Sequence, residues 1–468
     1  MTTLELRGRD LVIIPPEESL HLSTPELIQA LFGSQLPLTV RKDMERDKRH
    51  HFLRTKPIHF TSVKSALRKQ QTPFTVAFEE RPELSFETAL NIEPRPYQIE
   101  ALARWLAAGS AGVVVLPTGA GKTFVAALAI HETHLWTLAI VPTLDLLQQW
   151  RSALASALSI DEDEIGIFGG GEKELKPITI ITYDSAVLYP RELRRFGLLI
   201  FDECHHLPAP GYRLIAESAF TPLRLGLSAT PERSDMGHTD LEILIGSEVY
   251  RRSPAELTEG QFLAQYREIP IDIALSSADE ARYIEQRRIY RSFLQRRRIV
   301  IHSPEEFQQK IIFLSARDSE ARKAMLAWRE ARNIAMNAPA KYVEIERILC
   351  MHAGDQVILF SEYNQVVHEI SRRFCLPSIT YKTPADERRT ILDRFRVGQY
   401  TKLVTGRVLN EGVDVPDCRV AIIVSGNSTK REYIQRLGRI LRPKVGQALL
   451  YELITTGTTE EEIAKRRK

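Results

Sequence analysis

Long apolar stretches are missing from this sequence. No run of about 18 apolar residues occurs, so a membrane-spanning helix is not expected. Cysteine is scarce. Cys204, Cys350, Cys375 and Cys418 are scattered through 468 residues without paired spacing, which argues against a disulfide framework or a zinc module. The opening Met1-Thr2-Thr3-Leu4-Glu5-Leu6 lacks the basic start and apolar stretch of a secretory signal, so a cytoplasmic location is expected. Neither sign of charge dominates. With 63 Lys and Arg against 60 Asp and Glu, the net charge of +3 excludes no class of partner.

What is present is ordinary in bulk and uneven in detail. A content of 43% hydrophobic and 26% charged residues is that of a globular protein, and the length implies roughly two to four domains. Arg41 to Lys69 holds ten Lys and Arg against three acids, and Ala281 to Val300 holds seven Arg against one Glu. Such stripes suit a surface that tracks phosphates, and they equally suit solvated helix faces.

From Glu93 onward short apolar runs alternate with helical patterns. Gly112 to Leu116, Leu138 to Val141, Ile178 to Ile181 and Leu198 to Phe201 read as buried strands, and the pattern restarts at Val357 to Phe360, Lys402 to Val404 and Ala421 to Val424. Strands separated by helices imply parallel sheets covered on both faces. Between the two sets the chain reads as helical, with helices over Tyr283 to Arg296, Glu320 to Met336 and Ala340 to Met351. Ile311 to Leu314 is the one place there where a strand competes. Pro339 separates the last of these helices from the others and assigns it to the second sheet. The proline-spaced first 90 residues read as a small separate domain.

Leu116-Pro117-Thr118-Gly119-Ala120-Gly121-Lys122-Thr123 lies between a strand and a helix, the setting of a phosphate loop. Glycines let backbone N–H groups close round phosphates at a helix N-terminus, where the dipole favours anions. Lys122 would reach the β- and γ-phosphates of ATP and Thr123 would ligate Mg2+. Leu116 stands where the general pattern has its first glycine. Asp202-Glu203 ends a buried strand on the same sheet edge, so Asp202 would hold Mg2+ through water and Glu203 would polarise the attacking water. A metal site built from Cys204, His205 and His206 is the rival reading. Far downstream, Arg436, Arg439 and Arg442 recur at helical spacing. They form either an exposed basic helix or, with the loop and the acids, arginines that stabilise charge on the γ-phosphate. Dividing one ATP site in this way would make closure of two domains depend on ATP.

Six ordered stretches resemble the motifs of superfamily 2 helicases. They are Arg95-Pro96-Tyr97-Gln98, the loop ending at Thr123, Asp202-Glu203-Cys204-His205, Leu227-Ser228-Ala229-Thr230, Glu411-Gly412-Val413-Asp414-Val415-Pro416, and Gln435 to Arg442. Ile181 to Ala186 and Arg431 to Ile434 are similar to the XPB group, particularly its compact archaeal and bacterial members. The resemblance covers roughly Glu93 to Lys468. It implies an α/β fold of two RecA-like parallel-sheet lobes with a helical thumb-like insertion and a small N-terminal domain. The boundaries would be 1–88 for an N-terminal, damage-recognition-like domain, 89–262 for lobe 1 and 263–468 for lobe 2, with the insertion at about 281–337.

By motif position the resemblance also implies site residues. Arg95, Gln98, Thr118, Gly119, Ala120, Gly121 and Asp414 would bind nucleotide, with Gln98 near adenine and Asp414 near the ribose. Gln435 would join the catalytic Lys122, Glu203, Arg439 and Arg442. Thr143, Thr182, Arg233 and Thr405 would contact DNA, mostly as small hydroxyls at strand ends, although isolated threonines also serve as loop caps. The family has an Arg-Glu-Asp element that helps separate strands. Here Arg233-Ser234-Asp235 loses the central acid, which either weakens strand opening or is a neutral loop change. The implied activity is an ATP-dependent DNA helicase or duplex translocase in nucleotide excision repair, with a nuclease partner by analogy. An ATP-switched DNA clamp that recruits a nuclease is the alternative.

Overall fold

The computed structural model describes residues 1–7, 10–47, 50, 52–77, 82–231, 237–259, 266–301, 304–406, 418–425 and 448–467. The chain divides into two compact units, Met1–Leu257 and Thr258–Lys468.

The first unit opens with a small mixed sheet of β1 (Thr2–Arg7), β2 (Asp10–Ile14), β3 (Glu45–Arg46), β4 (Leu53–Thr55) and β5 (Phe74–Val76). Their order is β3-β4-β2-β1-β5, and only β1 and β5 run parallel. Side chains alternate across a strand, so Leu4 enters the core while Glu5 stays half-exposed. Helices Thr24–Phe32 and Phe60–Lys69 cover the apolar face with Leu27, Leu31, Phe32, Phe60, Val63 and Leu67. The first of these is fixed at its start by Ser23, whose N–H donates to Glu26 Oε2 at 2.8 Å. Phe220, from the segment just before the strand Leu223–Ser228 of the neighbouring sheet, enters this core and meets Phe60 edge-on.

That neighbouring sheet comprises β6 (Ala111–Val115), β7 (Thr137–Val141), β8 (Ile165–Gly169), β9 (Glu172–Lys173), β10 (Ile178–Thr182), β11 (Leu198–Asp202), β12 (Leu223–Ser228) and β13 (Glu248–Arg251). The order is β13-β6-β12-β11-β7-β10-β8-β9, parallel except at β9. Strands β7, β10, β11 and β12 are buried at every residue because helices cover both faces, which is why they read as unbroken apolar runs. Register brings Asp202 beside Leu227 and Ser228 beside Val115, so the phosphate loop, the acids and Ser228 leave the sheet at one edge.

The second unit has a parallel sheet of β14 (Tyr266–Ile273), β15 (Val357–Ser361), β16 (Ser378–Ile379), β17 (Lys402–Thr405), β18 (Val420–Ser425) and β19 (Ala448–Thr455), in the order β14-β19-β18-β15-β17-β16. Helix Pro339–Met351 packs Tyr342, Ile345 and Ile348 into this sheet's core. Helices Ser277–Arg297 and Ser319–Met336 pair through Tyr290 and Phe293 against Ala321 and Ala324. Ile311 to Leu314, where a strand competed, is helical. It runs through a π-turn at Gln308–Ile312 into Phe313–Ser315, with Ile311 in the core between these two helices. Of the seven arginines in Ala281 to Val300, Arg282, Arg288, Arg296 and Arg297 pair with acids on their own or the partner helix, so much of this stripe is an ion-paired solvated face.

Candidate nucleotide site and strand-end contacts

The loop after β6 is built for close backbone approach. Gly119 (φ +85) and Gly121 (φ +78) adopt left-handed conformations that side chains resist, and helix Lys122–Thr133 starts directly after them. Leu116, standing in place of a glycine, is fully buried at the strand end and donates its N–H to the Ser228 carbonyl at 3.0 Å. The helix Pro96–Ala107 brackets the loop from outside. Tyr97 Oη donates to the Ala120 carbonyl at 2.7 Å, and Gln98 Nε2 donates to the same oxygen at 3.2 Å. Gln98 Oε1 accepts from the Arg95 N–H at 3.0 Å, so in this structure the Gln98 amide holds the loop with both of its ends.

The acid pair faces the loop. Lys122 Nζ lies 2.9 Å from Glu203 Oε1, with both side chains mostly buried. Glu203 has left-handed backbone angles, φ 45° and ψ 53°, rare for a residue with a side chain. Its Oε2 has longer contacts to His205 Nδ1 at 3.4 Å and Ser228 Oγ at 3.5 Å. Asp202 is held by two rings. Trp150 Nε1 donates to its Oδ2 at 3.2 Å and Tyr183 Oη donates to its main-chain oxygen at 3.0 Å.

Burial and the neighbouring Glu203 charge push the Asp202 carboxyl up to about 7, partly offset by Lys122. Burial acts on Glu203 in the same direction, but Lys122 and His205 outweigh it and hold Glu203 well below the carboxylate range. The pair is therefore divided, with one acid easily protonated and the other firmly ionised.

These residues fit a Mg-nucleotide. Thr118 Oγ1 is buried with no hydrogen-bond partner among the described residues, two glycines at positive φ keep side chains off the loop backbone, and Thr123 and Asp202 supply the hard oxygens that Mg2+ prefers. The rival metal site at Cys204, His205 and His206 does not form. No His, Cys, Asp and Glu cluster of metal-binding geometry occurs among the described residues, and burial pushes the Cys204 thiol up, away from thiolate.

The strand-end threonines differ from one another. Thr143 precedes helix Leu144–Leu158, and its Oγ1 is buried without a hydrogen-bond partner among the described residues. Thr182 caps helix Tyr183–Leu188 by accepting the Ser185 N–H at 3.2 Å. Thr405 is fully buried and its hydroxyl donates to the Gly406 carbonyl at 3.1 Å. Arg233, Ser234, Asp235, Asp414, Gln435, Arg436, Arg439 and Arg442 lie outside the described residues. Sequence reading missed Trp150, Tyr183 and Tyr97 as organisers of the site. The last two stand inside motif stretches, which was the available signal, whereas Trp150 looks like any core residue of an amphipathic helix.

Known proteins resemble this chain in sequence and in fold. Residues 91–233 match the family described as type III restriction enzyme, res subunit, and residues 340–444 match the helicase conserved C-terminal domain. The chain is 44% identical over 378 residues to the DNA 3'-5' translocase XPB2 of Sulfurisphaera tokodaii, covering 81% of this chain and 85% of that protein. It is 31% identical to the DNA 3'-5' helicase XPB of Kineococcus radiotolerans, covering 80% of this chain, and 26% identical to the yeast transcription and DNA repair factor IIH subunit XPB/SSL2, covering 83%. It spans 62% and 44% of the lengths of those two relatives. The crystal structure of the Pyrococcus furiosus Hef helicase domain shares the fold, with a TM-score of 0.56 at 18% identity over 80% of this chain and 97% of that one. With two RecA-like lobes, the ordered motifs and this degree of identity, the chain belongs to the XPB family of superfamily 2 helicases.

Proposed function

We propose that this chain is an ATP-driven DNA translocase and helicase of nucleotide excision repair. The observation that carries the reading is the Lys122–Glu203 pair, 2.9 Å apart, where the phosphate loop meets the acid strand. The names of its relatives support DNA as the track, 3'-5' as the direction and repair as the setting.

The chemistry follows from the site. Lys122 leaves Glu203 to pair with the β- and γ-phosphates of ATP. Loss of that ammonium raises the basicity of Glu203 as it orients and polarises the attacking water. Bound Mg2+ would neutralise charge on the phosphate oxygens, held by Thr123 and, through water, by Asp202. Arg95 and Gln98 shape the nucleotide pocket with Thr118, Gly119, Ala120 and Gly121, joined by Asp414. Gln435, Arg439 and Arg442 stabilise charge developing on the γ-phosphate. Thr143, Thr182 and Arg233 contact the DNA backbone, and Thr405 joins them only if its buried hydroxyl leaves the Gly406 carbonyl.

Residues 1–88 would form a damage-recognition-like domain, 89–262 and 263–468 the two lobes, and about 281–337 a thumb. The apolar cluster under the N-terminal sheet, to which Phe220 is the one contributor from beyond residue 88 among the described residues, supports the first of these. A nuclease partner and a prokaryotic cytoplasm complete the proposal, the latter supported by archaeal and bacterial relatives.

Glu203→Gln should abolish DNA-stimulated ATP hydrolysis and leave ATP binding intact, checked by steady-state turnover and nucleotide titration. Unchanged turnover would remove Glu203 from its role. Triplex displacement separates the translocase from a static clamp, because a moving enzyme strips the third strand. Strand separation measured on the same DNA, with and without Ser234→Glu, tests the altered Arg233-Ser234-Asp235 element. A gain in unwinding alone assigns strand opening to it.

A further inference from the structure

We infer that Trp150 and Tyr183 are positioning residues that relay contact at the strand ends Thr143 and Thr182 to the acid pair Asp202–Glu203, so that ATP turnover responds to DNA. The inference rests on the proposed DNA-dependent function and adds residues that family motifs alone do not mark for this role.

Strands β11, β7 and β10 are successive neighbours in the sheet, and each ends at the same edge. Thr143 follows β7 and opens helix Leu144–Leu158. Seven residues later, about two turns and about 10 Å along one helix face, comes Trp150. It is 2% exposed, and its indole N–H reaches the Asp202 side chain. A helix is stiff over two turns, so a shift at its Thr143 end moves the indole. The buried Thr143 hydroxyl, without a hydrogen-bond partner among the described residues, gives that end a group still able to accept or donate a hydrogen bond.

The second arm is shorter. Thr182 ends β10 and Tyr183 follows at once, 1% exposed. Its ring reaches past the intervening β7, and its hydroxyl meets the Asp202 carbonyl at 3.0 Å. The two strand ends thus converge on one residue through different atoms, one fixing the carboxylate and the other the peptide before Glu203. That peptide leads into the left-handed Glu203, a conformation that persists only where the surroundings enforce it. Small movements of either ring are well placed to re-aim the Glu203 carboxylate.

The test uses the full chain with Mg2+ and ATP. Trp150→Phe and Tyr183→Phe remove the N–H or O–H donor while keeping an aromatic ring. ATP turnover and KM are measured without DNA and at saturating duplex, with DNA affinity by fluorescence anisotropy. Each variant should lose more DNA-stimulated than DNA-free turnover, lowering the stimulation ratio about fivefold, the factor of one neutral hydrogen bond. DNA affinity should stay within about twofold, since neither ring donor is spent on DNA. A wild-type ratio in folded variants, whether or not both rates fall together, overturns the relay and reduces the rings to packing. If Trp150→Phe does not fold, Tyr183→Phe alone carries the test, being nearly isosteric. Absence of DNA stimulation in the unmodified chain would instead count against the proposed function itself.

Discussion

Gly121 shows how one backbone angle can decide a site. Its φ of +78 lies where a side chain is strained, and a Cβ there would meet Gln98 Nε2 at 2.6 Å. Gln98 cannot simply swing away, because both ends of its amide hold neighbouring backbone. Gly121→Ala should therefore distort the loop and weaken ATP binding by about tenfold, the cost of a left-handed alanine being about 1–2 kcal/mol. Titration with a fluorescent nucleotide checks this, and wild-type affinity would show that the loop tolerates a right-handed turn. This position was legible in the sequence, since phosphate loops need glycine where backbone N–H groups must converge. The Gln98 partners were not legible, because they depend on a helix 22 residues away folding against the loop. Trp150 was hidden for a related reason. Its meaning lies in a contact 52 residues distant, and nothing in the local pattern separates it from ordinary core.

Among the elements, the buried parallel strands were easy to read and the short ones were not. Leu198 to Phe201 is apolar at every position because both of its faces are covered. By contrast, β3, β9 and β16 have two residues each, too few for any period to register. Ile311 to Leu314 was ambiguous because four apolar residues suit a strand or a helix, and packing against Phe293 and Ala324 settled it as helical. Helix Pro339–Met351 carries a feature that no pattern signals. Lys341 is 1% exposed and its Nζ meets Glu460 Oε2 at 2.7 Å and the Val424 carbonyl at 2.7 Å, tying this helix to helix Thr459–Arg467 and to the end of β18. Removing one member leaves a buried charge without its counter-ion. Lys341→Met should cost about 3–5 kcal/mol, and adding Glu460→Leu should recover much of it. Denaturant unfolding of the single and double variants measures both. A loss under about 1 kcal/mol in the single variant would mean that water reaches Glu460 and replaces the ammonium.

For the whole molecule, the order of motifs conveyed more than any single one. The phosphate loop and acids belong to Met1–Leu257, while Arg439 and Arg442 belong to Thr258–Lys468. The N-terminal sheet was the least legible part, since its strands are mostly short, its pairing is mixed and prolines interrupt it. If the proposed arginines of the second unit act on ATP, the reaction should fail when either unit loses its share, while nucleotide affinity stays with the unit that holds the loop. Arg439→Ala should then lower DNA-stimulated ATP turnover by about a thousandfold, the low end for an arginine that stabilises charge on a transferring phosphoryl group. Its ATP affinity should stay within a few-fold of the unmodified chain, as for Glu203→Gln. Lys122→Ala should differ from both by losing ATP binding as well. Turnover within tenfold of normal in Arg439→Ala would remove these arginines from the reaction and leave it to the first unit alone.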